Sequence, residues 1–128
     1  MHRGLVIAFC AVALGVLPAV AALAQLTPTA GPERAQTLYQ GSCASCHGDH
    51  GQGAAMPGLG LPRLDSGGTT WQQSDAALAL LVRNGSGLMA GVGTAWSDED
   101  VNAVLNLIRS WWTPEQQRQH DDLSPRSP

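Results

Sequence analysis

Two cysteines and a histidine stand within five residues in the segment Cys43-Ala44-Ser45-Cys46-His47. A glycine-rich run, GDHGQG, begins directly after the second cysteine and the histidine. Closely spaced thiols of this kind occur in redox pairs, in metal sites and in sites of covalent cofactor attachment. This motif constrains the fold most, because whatever joins the thiols also determines the path of the chain around them.

Of the three interpretations of the motif, covalent haem attachment uses every residue. A redox CxxC usually lies near a βαβ pattern, and this sequence shows no convincing strand. Zinc usually needs four ligands, and only His47, His50 and His120 remain to complete a set, without a second cysteine pair. Two thiols three positions apart can add to two haem vinyl groups, while the next imidazole reaches the iron. We expect one haem c on Cys43 and Cys46, with His47 on the iron and the other two histidines facing solvent.

The segment after the motif has residues suited to a close approach to a flat ring. Three glycines could let the backbone pass beside it, with an ordinary flexible loop as the alternative: Gly48, Gly51 and Gly53. Downstream, the Pro62 carbonyl is a candidate acceptor for the second ring N–H of His47, which would fix the imidazole and raise its basicity. Pro57 is the rival candidate.

Residues 1–24 have the pattern of a secretory signal peptide, with a basic start at Arg3, an apolar run and an Ala-Leu-Ala ending. An uncleaved membrane anchor is the alternative, since the apolar run approaches the roughly 20 residues that span a bilayer. Cys10 leaves with the signal. Residues 25–31, QLTPTAG, are expected to form a linker. We therefore expect a periplasmic protein, anchored in the membrane only if the signal is retained.

The composition excludes some partners and indicates a small core. The chain has no lysine, and after residues 1–24 are removed six arginines remain against ten acidic residues, a net charge of −4. This sign does not suit nucleic acid and favours a partner with a basic docking face. The same part has one tyrosine, four tryptophans and no phenylalanine, so something else should fill its centre. We expect a monomer whose Trp96, Trp111 and Trp112 mostly pack inside.

Periodicity and capping residues predict an all-α domain over residues 32–114, with three main helices and long Gly/Pro-rich loops. The first helix starts at Pro32 and runs to the motif, and the second starts after Ser74 and stops at Asn84-Gly85. The third starts after Ser97 with a capping box and runs to about Trp112. Residues 115–128 are expected to be a polar C-terminal tail.

Four segments together resemble a small bacterial class I cytochrome c: CASCHGDHGQG, LPRL, VRNGSGLMAG and WSDEDVNAVLNLIRSWWTPEQ. The resemblance covers about residues 32–117. It implies a cytochrome c-like fold around one covalently attached haem, with the first and last helices crossing near the haem edge. It also implies a histidine below the iron and a methionine above it, which carries over to His47 and Met89.

The resemblance also assigns roles to other residues. The small and aromatic pair that the first helix brings to the crossing matches Ala35 and Tyr39, whereas Leu107 stands where the last helix usually offers an aromatic. Trp71 and Arg63 lie in the loop that approaches the haem propionates in this family. An indole N–H and a guanidinium can both donate hydrogen bonds to carboxylates.

The choice of a methionine ligand is between Met56 and Met89, the two that remain after the signal. Met56 lies nine residues after His47 and would have to cross the ring within that span. Met89 is separated from His47 by a long loop and a helix, enough chain to reach the opposite face, and glycines flank it. We therefore expect Met89 to be the sixth ligand.

The expected function is the transfer of single electrons between exported or membrane-bound redox proteins. No acid, base or nucleophile arrangement suggests an enzyme. One alternative is a haem sensor whose sixth site opens to a small ligand. Another is the cytochrome subunit of a larger dehydrogenase or oxidase complex.

Overall fold

A computed structural model describes residues 31–53 and 60–124, which form a mostly helical domain. Its α-helices are α1 (Pro32–Ser42), α2 (Ala44–His47), α3 (Asp75–Asn84), α4 (Asp98–Arg109) and α5 (Pro114–Leu123). A 3₁₀ helix spans Thr70–Gln72, and two short antiparallel strands, β1 (Gly85–Ser86) and β2 (Met89–Ala90), follow α3. The predicted signal peptide, most of the predicted linker, Met56 and Pro57 lie outside the described residues.

Helices α3 and α4 begin where their capping residues predict, and α3 also ends where predicted. Ser74 accepts the N–H of Ala77 at the start of α3, and Gly85, with φ of 73°, ends that helix. At the start of α4, Ser97 and Asp100 form a reciprocal capping box. These three boundaries therefore coincide with local sequence signals.

Helices α1 and α4 pack against each other and form most of the core. The inward side of α4 is the predicted apolar stripe, and all its members are 5% exposed or less: Val101, Val104, Leu105 and Ile108. From α1, Ala35 and Tyr39 are buried against this side of the domain. The first helix and the last long helix thus pack together, as the crossing implied by the resemblance requires.

The segment after α4 differs from the prediction. Helix α4 ends at Arg109, before Trp112, and most of the predicted polar tail forms α5. Thr113 caps α5, Pro114 occupies its first turn, and Gln116 completes a second capping box. Helix α5 packs chiefly through hydrogen bonds and one buried ring. Because it needs no apolar stripe for this packing, its sequence is polar.

His120 on α5 is that buried ring, and the expectation that it faces solvent is wrong. Its side chain is fully buried, with Nδ1 3.2 Å from the Trp71 carbonyl and Nε2 2.8 Å from Asp75 Oδ1. The ring also meets Trp112 edge to face, with centroids 4.9 Å apart. His120 therefore fastens α5 to the 3₁₀ helix and to the start of α3. His50 is exposed, as expected.

Within residues 31–53 and 60–124, no helix is long and apolar enough to cross a membrane.

Candidate functional site

The CxxCH motif forms a single helical turn at the end of α1. The backbone N–H groups of Cys46 and His47 both donate to the Cys43 carbonyl, at 3.1 and 2.9 Å. Residues three apart on a helical turn share a face, so both cysteines are presented on one side. Both thiols are free and partly buried. The turn therefore offers two unbridged sulfurs side by side.

The two thiols do not resemble an activated redox pair. Burial, followed by the neighbouring Cys46, raises the pKa of the Cys43 thiol to about 11. Redox-active CxxC motifs instead have a thiol whose pKa is lowered. In the described part of the chain, no group of three or more His, Cys, Asp and Glu side chains is placed to hold a metal ion. The geometry of the turn suits covalent attachment, the interpretation that uses every residue of the motif.

His47 is oriented by the carbonyl predicted for it. Its ring is 8% exposed, and Nδ1 lies 3.0 Å from the Pro62 carbonyl oxygen. A carbonyl can only accept, so Nδ1 is the donor, and in the neutral ring Nε2 carries the lone pair. Nε2 has no hydrogen-bond partner among the described residues. The imidazole is thus held in the tautomer that an iron ligand needs.

Two of the glycines after the motif are also required by protein contacts. Gly51 has φ of 72°, and a Cβ there would lie 2.9 Å from Leu64 Cβ and 3.0 Å from the Trp111 ring. A Cβ on Gly53 would lie 2.9 Å from Arg63 Cγ. The Gly51 carbonyl also accepts the N–H of Leu64, at 2.7 Å. Gly51 and Gly53 therefore let the segment after Gly60 pack tightly on the residues that follow the motif.

Tyr39 on α1 holds the backbone directly after the motif. Its ring is fully buried, and its hydroxyl donates to the Gly48 carbonyl at 2.8 Å. Burial raises the pKa of this hydroxyl well above its usual range, so it remains a donor. Its ring meets Trp111 edge to face, with centroids 5.0 Å apart. Trp111, four residues after Leu107, supplies the aromatic that the α4 side of the crossing otherwise lacks.

Met89 lies in the β1–β2 hairpin, where it pairs with Ser86. It is partly buried and packs against the same core cluster as Cys43 and Trp71. A Cβ on Gly85 would lie 2.3 Å from the Met89 carbonyl oxygen, so only glycine allows this tight turn. The structure thus holds Met89 at the edge of the core.

Arg63 and Trp71, the predicted propionate donors, both have protein partners. Arg63 donates through Nε and Nη2 to Asp65, at 2.9 and 2.7 Å. The Trp71 indole N–H donates to the Gly68 carbonyl at 3.0 Å. The structure therefore occupies the single donor of Trp71 and two of the five donors of Arg63.

The motif fits a covalently bound haem. Two free thiols share one face of a turn, and the adjacent imidazole has a fixed tautomer with its free nitrogen unpaired within the described residues. Helix α1 packs both against this turn and against α4. Together the fold and the site define the class as a c-type cytochrome domain.

The comparisons with known proteins agree. Residues 30–119 match the family described as cytochrome c oxidase, cbb3-type, subunit III. The Cbb3-type cytochrome c oxidase subunit CcoP of Azospirillum brasilense is 37% identical over 84 residues, covering 64% of this chain and 28% of that protein. The subunit of the same name from Azospirillum sp. (strain B510) is 39% identical over 78 residues, covering 59% and 25%. No solved structure matches.

The chain belongs to the cbb3-type cytochrome c oxidase subunit III family, and it spans about a quarter of the length of these two curated relatives. It is an electron-carrying c-type cytochrome domain, and its cofactor is one haem c bound covalently through the CxxCH motif. The resemblance noted in the sequence is thereby confirmed.

Proposed function

We propose that this chain is a periplasmic cytochrome domain that passes single electrons within a cbb3-type oxidase complex. When bound, the haem iron supplies the one-electron couple. The proposal draws on the family match and on two relatives named as subunits of such an oxidase. The observation that carries it is the His47 imidazole, oriented by Pro62 beside two unbridged thiols. Membrane association would come from the complex or from a retained N-terminal segment.

Each residue of the proposed site has a distinct role. Cys43 and Cys46 form the thioether bonds, His47 is the proximal ligand and Pro62 orients it. Met89 is the proposed distal ligand, since it borders the same core cluster as Cys43 and its hairpin is separated from the motif by the whole of α3. A thioether favours reduced iron relative to a second histidine, which suits a carrier that donates to an oxidase.

Of the two proposed propionate donors, Arg63 is better placed than Trp71. Arg63 gives Asp65 two of its five N–H groups and its side chain is half exposed, so it can donate further. Trp71 has one N–H and already gives it to the Gly68 carbonyl. Its participation would require that hydrogen bond to break.

The charge distribution supports a partner with a basic docking face. Every arginine in residues 31–53 and 60–124 is within an ion pair: Arg34, Arg63, Arg83, Arg109 and Arg118. Within the same residues, Glu33, Asp49, Glu99 and Asp122 have no such partner. The uncompensated charge is therefore negative, and a positive surface would be attracted to it. Nucleic acid is not a proposed partner, and we propose that the domain itself is a monomer.

The proposal gives this chain electron transfer and no bond-making chemistry of its own. Its buried polar side chains are engaged in structure: His120 contacts Asp75, and Asp100 contacts Arg34. We propose that the chain alone is not an enzyme, since the haem iron would supply the redox change.

Affinity purification from membranes tests the assignment to an oxidase. A tagged chain, with haem attached, should copurify with the other oxidase subunits from detergent-solubilised membranes of its source bacterium. The matched control is the Cys43→Ala, Cys46→Ala variant, which cannot attach haem. Capture of a dehydrogenase without oxidase subunits would contradict the proposal.

Stopped-flow oxidation of the reduced domain tests two points: the direction of electron transfer and the positive charge of the partner's docking face. Membranes containing the oxidase should oxidise the domain, and the rate should fall as salt rises, since screening shortens to about 10 Å at 0.1 M. A rate that does not depend on salt would contradict the basic docking face. Prompt, complete binding of carbon monoxide to the reduced wild-type protein would instead favour the sensor alternative.

A further inference from the structure

The loop of residues 60–68, here named the Pro62 loop, is held by hydrogen bonds to its carbonyl groups. The Pro62 carbonyl accepts from His47, and the Arg63 carbonyl accepts from the Thr70 hydroxyl at 3.0 Å. The next carbonyl, that of Leu64, accepts the indole N–H of Trp112 at 2.8 Å. The C-terminal part of the chain thus reaches a carbonyl two residues from the one that orients His47.

Trp112 is well placed to act as a fixed point for this loop. Its side chain is 4% exposed, and its ring lies edge to face on the fully buried His120. His120 is itself tied to Asp75 and to the Trp71 carbonyl. Gln116 on α5 adds a second hydrogen bond to the loop, to the Ser66 carbonyl at 2.9 Å. The C-terminal segment therefore holds the Pro62 loop by two hydrogen bonds, one from Trp112 and one from Gln116.

We propose that Trp112 is a positioning residue for His47, acting through the Leu64 carbonyl and the Pro62 loop. This inference rests on the proposed role of His47 as an iron ligand. Without the indole N–H, the Leu64 carbonyl loses a donor at a part-buried position and must turn toward water to replace it. The Pro62 carbonyl lies two residues away and moves with it, so the hydrogen bond to His47 Nδ1 weakens.

The weaker hydrogen bond has a predictable effect on the site. An imidazole that donates strongly from Nδ1 is a more basic ligand through Nε2. A less basic His47 stabilises oxidised iron less, so the reduction potential should rise. The Nδ1 proton should also exchange faster with solvent, because its acceptor is less firmly held.

The test compares two tryptophan substitutions in the protein with haem attached. Trp112→Phe removes the indole N–H and keeps an aromatic ring. Trp96→Phe is the matched control, since Trp96 is also buried in the core cluster but its indole has no hydrogen bond among the described residues. For each protein we would measure the exchange rate of the His47 Nδ1 proton by NMR, the reduction potential and the helix content.

Trp112→Phe should speed the exchange at least about tenfold, the factor that corresponds to about 1.4 kcal/mol, and should raise the potential, while Trp96→Phe changes neither. Unchanged exchange and potential in a natively helical Trp112→Phe protein would overturn the proposal, as would equal changes in both variants. If Trp112→Phe does not fold, benzothienylalanine at position 112 replaces the N–H with sulfur at nearly constant shape, and the same criteria apply. A wild-type spectrum without histidine ligation would instead reject the proposed function, independently of Trp112.

Discussion

Arg34 at the start of α1 and Asp100 in the first turn of α4 form a two-point ion pair. Nε lies 3.0 Å from Oδ1, and Nη2 lies 3.2 Å from Oδ2. The same carboxylate accepts the Ser97 N–H and so completes the capping box of α4. One side chain therefore both caps the last long helix and ties it to the first.

This ion pair predicts a pH dependence of stability. The hydrogen bond from Arg34 lowers the pKa of Asp100 below its ordinary value of 3.8. Its contribution to stability is thus present above about pH 4 and is lost as the pH falls through the lower pKa of the folded protein. Asp100→Asn should be less stable than wild type at pH 7, and the difference should shrink toward pH 3. Urea unfolding across this pH range measures it.

Glu99→Gln is the control for this prediction. Glu99 lies in the same turn of α4 but has no ion pair within the described residues. The substitution Glu99→Gln removes the same negative charge without removing the contact to α1. If Glu99→Gln lowers the free energy of unfolding at pH 7 as much as Asp100→Asn does, the ion pair with Arg34 is not the cause of the stabilisation.

The tight packing at Gly51 predicts a strongly destabilising substitution. Gly51→Ala puts a Cβ within 3.0 Å of Leu64 and Trp111 at a positive φ. The free energy of unfolding should fall by about 2–4 kcal/mol, from backbone strain and overpacking together. Gly87→Ala is the control, since Gly87 also has positive φ but open space around it, and strain alone should cost about 1–2 kcal/mol. Guanidinium unfolding measures both variants. Equal decreases in their free energy of unfolding would show that the contacts with Leu64 and Trp111 add nothing to the cost of strain.

The modest core predicts that the chain depends on haem to fold. Only a few large apolar side chains are buried among the described residues, and the cluster they form borders Cys43 and Met89. A Cys43→Ala, Cys46→Ala protein should therefore be largely unfolded by circular dichroism. Ser45→Ala, an exposed change between the two thiols, should keep the helical signal of wild type. Native helix content in the double variant would disprove the dependence.

The helices and the motif could be predicted because their signals are local. The apolar stripe from Val101 to Ile108 and the capping residues Ser74 and Ser97 lie within single helices, and the structure confirms them. The Pro62 carbonyl, one of the two acceptors predicted for His47, is confirmed as its partner.

The features that sequence reasoning missed depend on distant contacts. His120 looks like a polar residue of a tail, yet its partner Asp75 lies 45 residues away. Helix α5 has a visible capping box at Thr113 and Gln116, and this signal could have revealed it. The role of Gly51 could not be inferred, because it depends on where Trp111 packs.

The most direct test of the central claim, a haem iron held by His47 and Met89, is the absorption spectrum of the oxidised protein. Wild type should show the sulfur-to-iron charge-transfer band. Met56→Ala should keep it, whereas Met89→Ala should lose it, lower the reduction potential and open the reduced iron to carbon monoxide. A band that disappears in Met56→Ala and persists in Met89→Ala, or a wild-type protein that never shows it, would contradict the claim.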